Sequence, residues 1–176
     1  MAVESKHANT LLDANSNLIH QNLFALFGTG MNVKALFSRV EIAAADDNNS
    51  VYILWRNLPA TLVPLAIMIA TDGITNGTDF NLGIFEPTKN DTVGAVIDDN
   101  CFADALNLSS AVASLNPKTA LDGMKDVALD NYYKSLMEHA GDDVTTKLAG
   151  YDIGLTGIAV GSAAGGVHAL MLCGSI

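Results

Sequence analysis

The sequence predicts a mainly β fold: an antiparallel β-sandwich with one amphipathic helix and an extended N-terminal arm. Six segments rich in strand-forming residues are separated by short turns, and this arrangement is typical of a sandwich. The strongest turn signal is Asn76-Gly77, because both residues tolerate the positive φ of tight primed turns. Only one long segment spaces its apolar residues as an amphipathic helix does, so helices are expected to be a minor part of the fold.

The predicted strands also define the domain organisation. Residues 1–32 are expected to form an arm and residues 33–176 one sandwich domain, since a chain of 176 residues can bury one sizeable core. Two strand pairs are predicted to be hairpins, one turning at Asn76-Gly77 and the other at residues 161–166. Gly83 predicts a bulge or a close backbone approach. The six strands are predicted over residues 33–42, 51–55, 62–71, 80–85, 151–160 and 167–173.

Two helices are predicted between the fourth and fifth of these strands. Asp98-Asp99 is expected to cap a short helix over residues 100–106, because a carboxylate there accepts hydrogen bonds from first-turn amides. Residues 125–140 place apolar side chains at helical intervals, and Gly141 follows as a predicted C-terminal cap. His139 would then lie in the last turn, where a cation suits the helix dipole.

The composition indicates a surface that other subunits cover. Apolar residues make up 49% of the chain and charged residues 16%, whereas an average globular chain carries about 25% charged residues. The net charge is −10, from 19 acids and 9 bases, and the bases are scattered. Nucleic acid is therefore not an expected partner, because binding to it depends on Lys and Arg that neutralise phosphates.

The sequence predicts neither secretion nor membrane insertion. It starts Met-Ala-Val-Glu-Ser-Lys-His, without the basic start and apolar run of a signal peptide. The most apolar window, residues 58–70, covers about 13 residues and contains two prolines, whereas a spanning helix needs about 20 residues. Cys101 and Cys173 are expected to be buried free thiols, and neither demands an oxidising compartment.

The N-terminal arm is predicted to dock on a neighbouring subunit. Apolar residues recur among asparagines in this segment, and contact with a neighbour would shield them from water. The alternative is a flexible tail with some residual helix. Aromatic residues are enriched at interface centres, although an aromatic residue in a strand is more often part of the core. The candidate interface residues are Leu11, Leu18, Leu23, Phe24 and Phe27 in the arm and Trp55 in the second strand.

The sequence contains no constellation that predicts an enzyme, a metal site or a cofactor. The four histidines form no zinc-ligand spacing with the two cysteines. Ser162 departs from the G-x-S-x-G elbow and is predicted to lie in a turn. Three acidic pairs lack the full calcium-loop pattern and are interpreted as turns or caps: Asp46-Asp47, Asp98-Asp99 and Asp142-Asp143.

Several segments give the chain a resemblance to a known group of proteins. Over about residues 50–173, the chain resembles tailed-bacteriophage virion proteins that decorate or cement capsids, some of which anchor head fibres. The matching segments are the apolar strand at 62–70, Thr78-Asp-Phe-Asn-Leu-Gly-Ile-Phe-Glu, Gly94-Ala-Val-Ile-Asp-Asp-Asn-Cys-Phe-Ala-Asp-Ala, Glu138-His-Ala-Gly141, Tyr151-Asp-Ile-Gly-Leu-Thr-Gly and the strand at 165–172. The chain departs from this group in its longer, Asn-rich N-terminal segment.

The resemblance implies a structural role without catalytic residues. The protein would fold as a β-sandwich or jelly roll. It would be made in the host cytoplasm and would bind the outer face of a capsid. The expected partners are the major capsid protein, whose subunits it would bridge, and copies of itself in a dimer or trimer. The alternative is a receptor- or carbohydrate-binding module of a fibre or tail, which predicts exposed aromatic residues beside Asp or Asn in one loop cluster.

Overall fold

Ten strands form two five-stranded sheets in the computed structural model, which describes residues 5–7, 22–25 and 32–175. Sheet A has the order β1-β4-β9-β6-β7, and sheet B has the order β2-β3-β10-β5-β8. A 3₁₀ turn at Leu129–Asn131 and a helix α1 at Leu136–His139 lie between β8 and β9. The strands are β1 Ser5–His7, β2 Asn22–Ala25, β3 Asn32–Ile42, β4 Val51–Pro59, β5 Leu62–Thr71, β6 Asp79–Phe85, β7 Val96–Leu106, β8 Leu121–Asp122, β9 Gly150–Ala159 and β10 Gly165–Ser175.

Eight of these strands, β3 to β10, form a jelly roll. They divide into two antiparallel four-stranded sheets with the orders β3-β10-β5-β8 and β4-β9-β6-β7, which is the strand order of two interlocked Greek keys. The two N-terminal strands extend the edges: β1 pairs in parallel with β4, and β2 pairs antiparallel with β3. The predicted β-sandwich fold is confirmed.

The hydrophobic core lies between the two sheets. Each sheet contributes the inward-facing side chains of its strands, as the alternation of β-strand side chains requires. Trp55, a candidate interface residue in the sequence, is 1% exposed and belongs to this core, so its side chain offers no surface to a partner. Its indole Nε1 has no hydrogen-bond partner among the described residues.

The two predicted hairpins are wrong, although their turns are present. Gly77 N donates to Ile74 O at 2.7 Å, and Asn76 has a φ of 62°, as the turn chemistry requires. However, β5 belongs to sheet B and β6 to sheet A, and the same change of sheet separates β9 from β10. A tight turn reverses the chain direction, but it does not determine whether the two strands pair or face each other across a core.

The predicted helix at residues 100–106 is also wrong, because these residues continue strand β7. Phe102 and Ala103 are fully buried, and their burial in the sandwich outweighs the capping signal of Asp98-Asp99. β7 bulges strongly against β6: Leu82 pairs with Ala103, whereas Ile84 pairs with Asp98. A Cβ placed on Gly83 would lie 2.0 Å from the carbonyl oxygen of Asp98, so the predicted close approach is confirmed.

The amphipathic helix predicted over residues 125–140 shrinks to the four residues of α1. Ser135 and Glu138 form a capping box that starts this helix late. Leu129 is 88% exposed, whereas Leu136 is buried, so the helical spacing of the two leucines does not correspond to one buried face. Gly141 follows with a φ of 75°, as predicted for the C-terminal cap. In the described part of the chain, no helix has the length and apolar character of a membrane span.

The outer face of sheet A is closed by backbone contacts and a buried acid. Asp152 is fully buried and accepts hydrogen bonds from Asn57 N at 2.6 Å and from Thr88 N at 2.8 Å and Thr88 Oγ1 at 2.6 Å. These bonds connect β9 to β4 and to the connection between β6 and β7. Gly83 and Gly154 lie beside Asp152 on β6 and β9, where close backbone neighbours leave no room for side chains.

Replacing Gly83 with valine tests the bulge of β7. Gly83→Val is expected to lower the free energy of unfolding by about 1–3 kcal/mol, because β7 has to move away from the new side chain. Gly141→Asn is the control, since no atom lies within 4 Å of a Cβ there and Asn tolerates a positive φ. Urea denaturation measures both variants. An unchanged unfolding midpoint for Gly83→Val would contradict the close approach.

Candidate interaction surface

The outer face of sheet B carries rows of apolar side chains in register. Leu170 of β10 lies between Phe37 of β3 and Met68 of β5. The next row, two residues along β10, places Leu172 between Ala35 and Ala66. The intervening β10 residues, Ala169 and Met171, are fully buried in the core, so these rows lie on the opposite side of the sheet.

The members of these rows that remain accessible form what we call the apolar face. Phe37 is 39% exposed, and its neighbours are half-buried. Isolated exposed hydrophobic residues are normal on a protein surface, but a contiguous patch indicates a contact site. The apolar face consists of Phe37, Ala66, Met68, Leu170 and Leu172.

A groove continues the apolar face towards one end of the sandwich. Its floor includes Ala70 and His168, which are register partners on β5 and β10. Residues 112–115 form a wall, held beside β5 by backbone hydrogen bonds in both directions between Thr71 and Val112, at 3.1 and 2.7 Å. The groove is open to solvent and has a volume of about 230 Å³.

A charged cluster lies at the far end of the groove. Arg39, Glu41 and Asp72 converge over Gly166, since all three side chains lie near the position that a Cβ of Gly166 would occupy. Arg39 and Glu41 form an ion pair, and Asp72 Oδ2 accepts a hydrogen bond from Gly166 N at 3.1 Å. One guanidinium faces two carboxylates, so the cluster has a net charge of −1 at neutral pH.

A second group of exposed apolar residues lies on the connection between β8 and β9. Leu129 is 88%, Tyr133 78% and Val144 72% exposed. Asp130 and Asn131 lie in the 3₁₀ turn between the first two of these residues. An exposed aromatic ring with a neighbouring acid and amide is the combination that the carbohydrate-binding alternative predicts.

The interface residues predicted in the arm stay predictions. Leu11, Leu18 and Phe27 lie outside the described residues, and Leu23 and Phe24 lie in β2, which pairs with β3 of the same chain. The sequence reasoning missed the apolar face. The available signal was that β5 and β10 carry apolar residues at both odd and even positions, a pattern typical of strands covered on both faces.

Two of the three acidic pairs have structural roles in turns. Asp46 accepts from Ala43 N at 2.9 Å and from Tyr52 Oη at 3.0 Å, and Asp142 accepts from the hydroxyl of Tyr151. Asp98-Asp99 lies in strand β7, so its interpretation as a cap or turn is corrected. Among the described residues, no group of three or more His, Cys, Asp and Glu side chains is placed to hold a metal ion.

Burial disfavours the charged forms of the two cysteine thiols and of the His139 imidazole. Cys101 and Cys173 are free, and burial raises the pKa of both thiols, that of Cys173 to about 11. Burial lowers the pKa of His139, whose ring is tilted by 58° to that of Phe102 with 5.0 Å between the centroids. The imidazole is therefore neutral at pH 7, so the cation expected at the helix end is absent. Ser162 lies exposed in the turn before β10.

Comparison with known proteins relates the chain to phage capsids by structure. No protein-family model and no curated protein matches the sequence. One similar solved structure is from the capsid of Ralstonia phage GP4, with a TM-score of 0.55 and 14% identity over 82% of this chain and 84% of that chain. Another is from the cyanophage Pam1 capsid asymmetric unit, with a TM-score of 0.43 and 17% identity over 93% and 96% of the two chains, too low a score to carry an argument. The chain therefore shares its fold with a chain of the GP4 capsid.

Proposed function

We propose that this chain is a structural protein of a bacteriophage virion, namely a capsid decoration or cement protein that stabilises the shell by bridging major capsid subunits. The observation that carries the proposal is the apolar face on the outside of sheet B. The shared fold with a chain of the Ralstonia phage GP4 capsid supports the virion setting. The low content of charged residues, 16%, supports extensive contact with other subunits.

The area of the apolar face limits the binding free energy that one contact can supply. Three strands about 4.8 Å apart and two rows about 6.7 Å apart give an area of roughly 200 Å². Burying this area contributes about 5 kcal/mol at about 25 cal/mol per Å², whereas association costs about 4–15 kcal/mol. One contact through this face is therefore weak. Simultaneous contacts with two shell subunits, repeated over a symmetric particle, raise the effective affinity.

On this function, the protein is made in the host cytoplasm and binds the outer surface of the capsid. Its partners there are the major capsid protein and other copies of itself in a dimer or trimer. It has no enzymatic activity and uses no cofactor, nucleic acid or membrane. The N-terminal arm, residues 1–32, makes an additional contact with a neighbouring subunit through roughly residues 11–27, of which residues 22–25 also pair with β3 of the same chain.

Removing residues 1–30 tests the role of the arm. The eight strands of the jelly roll remain, and the deletion takes only two edge strands of three and four residues. We expect the truncated protein to keep the circular dichroism spectrum of a β protein and to lose binding to purified shells in a co-sedimentation assay. Full occupancy of the shells by the truncated protein would contradict the role of the arm.

A charge placed on the apolar face tests that surface separately. Phe37→Asp is expected to weaken shell binding at least about tenfold, since burying an unpaired charge costs more than about 1.4 kcal/mol. Ile158→Asp is the matched control, because Ile158 of β9 is 37% exposed and Phe37 is 39% exposed. Both variants are first compared by thermal unfolding. Equal shell binding by the two variants would argue against the apolar face.

A receptor- or carbohydrate-binding module is the second candidate function. The specific observation in its favour is Tyr133, exposed beside Asp130 and Asn131. A glycan array measures this activity directly. On this hypothesis, the wild-type chain binds a defined set of glycans and Tyr133→Ala loses that binding, whereas Val144→Ala in the same connection keeps it. No glycan binding by the wild-type chain would remove this candidate.

A further inference from the structure

Three features of sheet B lie in line along β10. The charged cluster surrounds Gly166, the floor of the groove contains His168, and Leu170 is the centre of an apolar row. Successive features are two residues apart, which corresponds to about 6.7 Å in a strand. The line from the cluster to the apolar row is therefore about 13 Å long, and a partner that covers it meets three different chemical environments in a fixed order.

The charged cluster favours a positively charged side chain of the partner at one end of this line. Arg39 neutralises one of the two carboxylates, and one negative charge remains. Asp72 is exposed, so its carboxylate is accessible to an incoming group. A single Lys or Arg side chain would balance the cluster. The net charge of −10 on the whole chain also attracts a basic segment.

The groove selects the shape of the partner in the middle of the line. The wall of residues 112–115 stands on one side of the floor, and Arg39, the register partner of His168 on β3, stands on the other. The floor between them is formed by β5 and β10, and adjacent strands lie about 4.8 Å apart. A helix is about 10 Å wide, so an extended segment lies along this floor and a helix does not. The contact with Ala70 and His168 thus favours a small residue over a large one.

The apolar row determines the chemistry at the other end of the line. Leu170, with Phe37 and Met68 on either side, offers only apolar contacts. An extended chain advances about 3.3 Å per residue, so the residue over the cluster and the residue over this row are about four positions apart in its sequence. Alternate residues of such a chain point to the same side, and three of them face the sheet.

We propose that the outer face of sheet B binds an extended peptide segment of the shell protein with the pattern basic–x–small–x–apolar. The basic residue contacts Asp72 and Glu41, the small residue lies in the groove, and the apolar residue packs on Leu170. The assignment of the segment to the shell protein rests on the proposed function. The preference for this pattern rests on the residues of sheet B alone.

A pair of synthetic peptides tests the pattern with the full chain. The first probe is acetyl-Gly-Lys-Gly-Ala-Gly-Leu-Gly-amide, and the second has Glu in place of Lys. Binding is followed by NMR through the imidazole signals of His168 and the methyl signals of Leu170. The Lys peptide is expected to shift both sets of signals and to bind about tenfold more tightly than the Glu peptide. Equal affinity for the two peptides, or no shift at His168, would overturn the proposal.

Charge reversal at the cluster gives the second measurement. Asp72→Lys is expected to reverse the preference, so that the Glu peptide binds more tightly than the Lys peptide. Asp104→Lys changes the net charge by the same amount at an exposed position of β7 in sheet A and is expected to leave the preference unchanged. If Asp72→Lys does not fold, Glu41→Lys replaces it, since Glu41 lies in the same cluster and is more than half exposed. A preference that follows net charge in both variants contradicts the proposal.

A third experiment distinguishes the proposed function from the sheet B site. Short overlapping peptides of the shell protein are immobilised as an array and probed with the full chain, which is expected to bind the peptides that contain the pattern. If the synthetic peptides discriminate and neither shells nor shell peptides bind, the sheet B site stands and the proposed function fails. If shells bind and the synthetic peptides do not discriminate, the proposed function stands and this inference fails.

Discussion

The core shared by the two sheets is the constraint on which the structure depends. Between β3 and β10, every connection except β6 to β7 carries the chain from one sheet to the other. Consecutive strands therefore stabilise each other mainly by facing across the core, and their ladder partners are distant in sequence. β10, for example, pairs with β3 and β5, more than 90 residues earlier in the chain. Such a fold depends on non-local contacts, which form slowly because loop closure precedes their stabilisation.

This arrangement gives the two sheets different outer faces. Sheet A is closed on the outside by the β7 bulge over Gly83 and by the buried carboxylate of Asp152, which satisfies three donors from neighbouring segments. Sheet B instead keeps Phe37, Leu170 and Met68 accessible on its outside. The same strands β5 and β10 supply the core on their other side. The contact surface is therefore a second use of strands that the core already requires.

Strand positions could be predicted from the sequence, but strand partners could not. Alternation and β-branched residues are local properties, and six predicted strands correspond to β3, β4, β5, β6, β9 and β10. The turn at Asn76-Gly77 was found by its chemistry, yet the sheet to which each flanking strand belongs is a property of the whole fold. One helix prediction was wrong and the other was too long, for a related reason. Phe102 and Ala103 extend a strand because they fill the core, and the leucines at 129 and 136 follow a helical spacing without sharing a buried face. The apolar face depends on register between three strands, which the sequence does not display.

The position of β10 has a consequence for how the protein is made. This strand lies in the middle of sheet B and yet follows the other strands along the chain, so a ribosome exposes β3 and β5 long before the strand that joins them is synthesised. During that interval both strands present unsatisfied edges, and identical nascent chains on one polysome are close neighbours that could pair with them. Sheet B thus stays open along its centre until β10 has been synthesised.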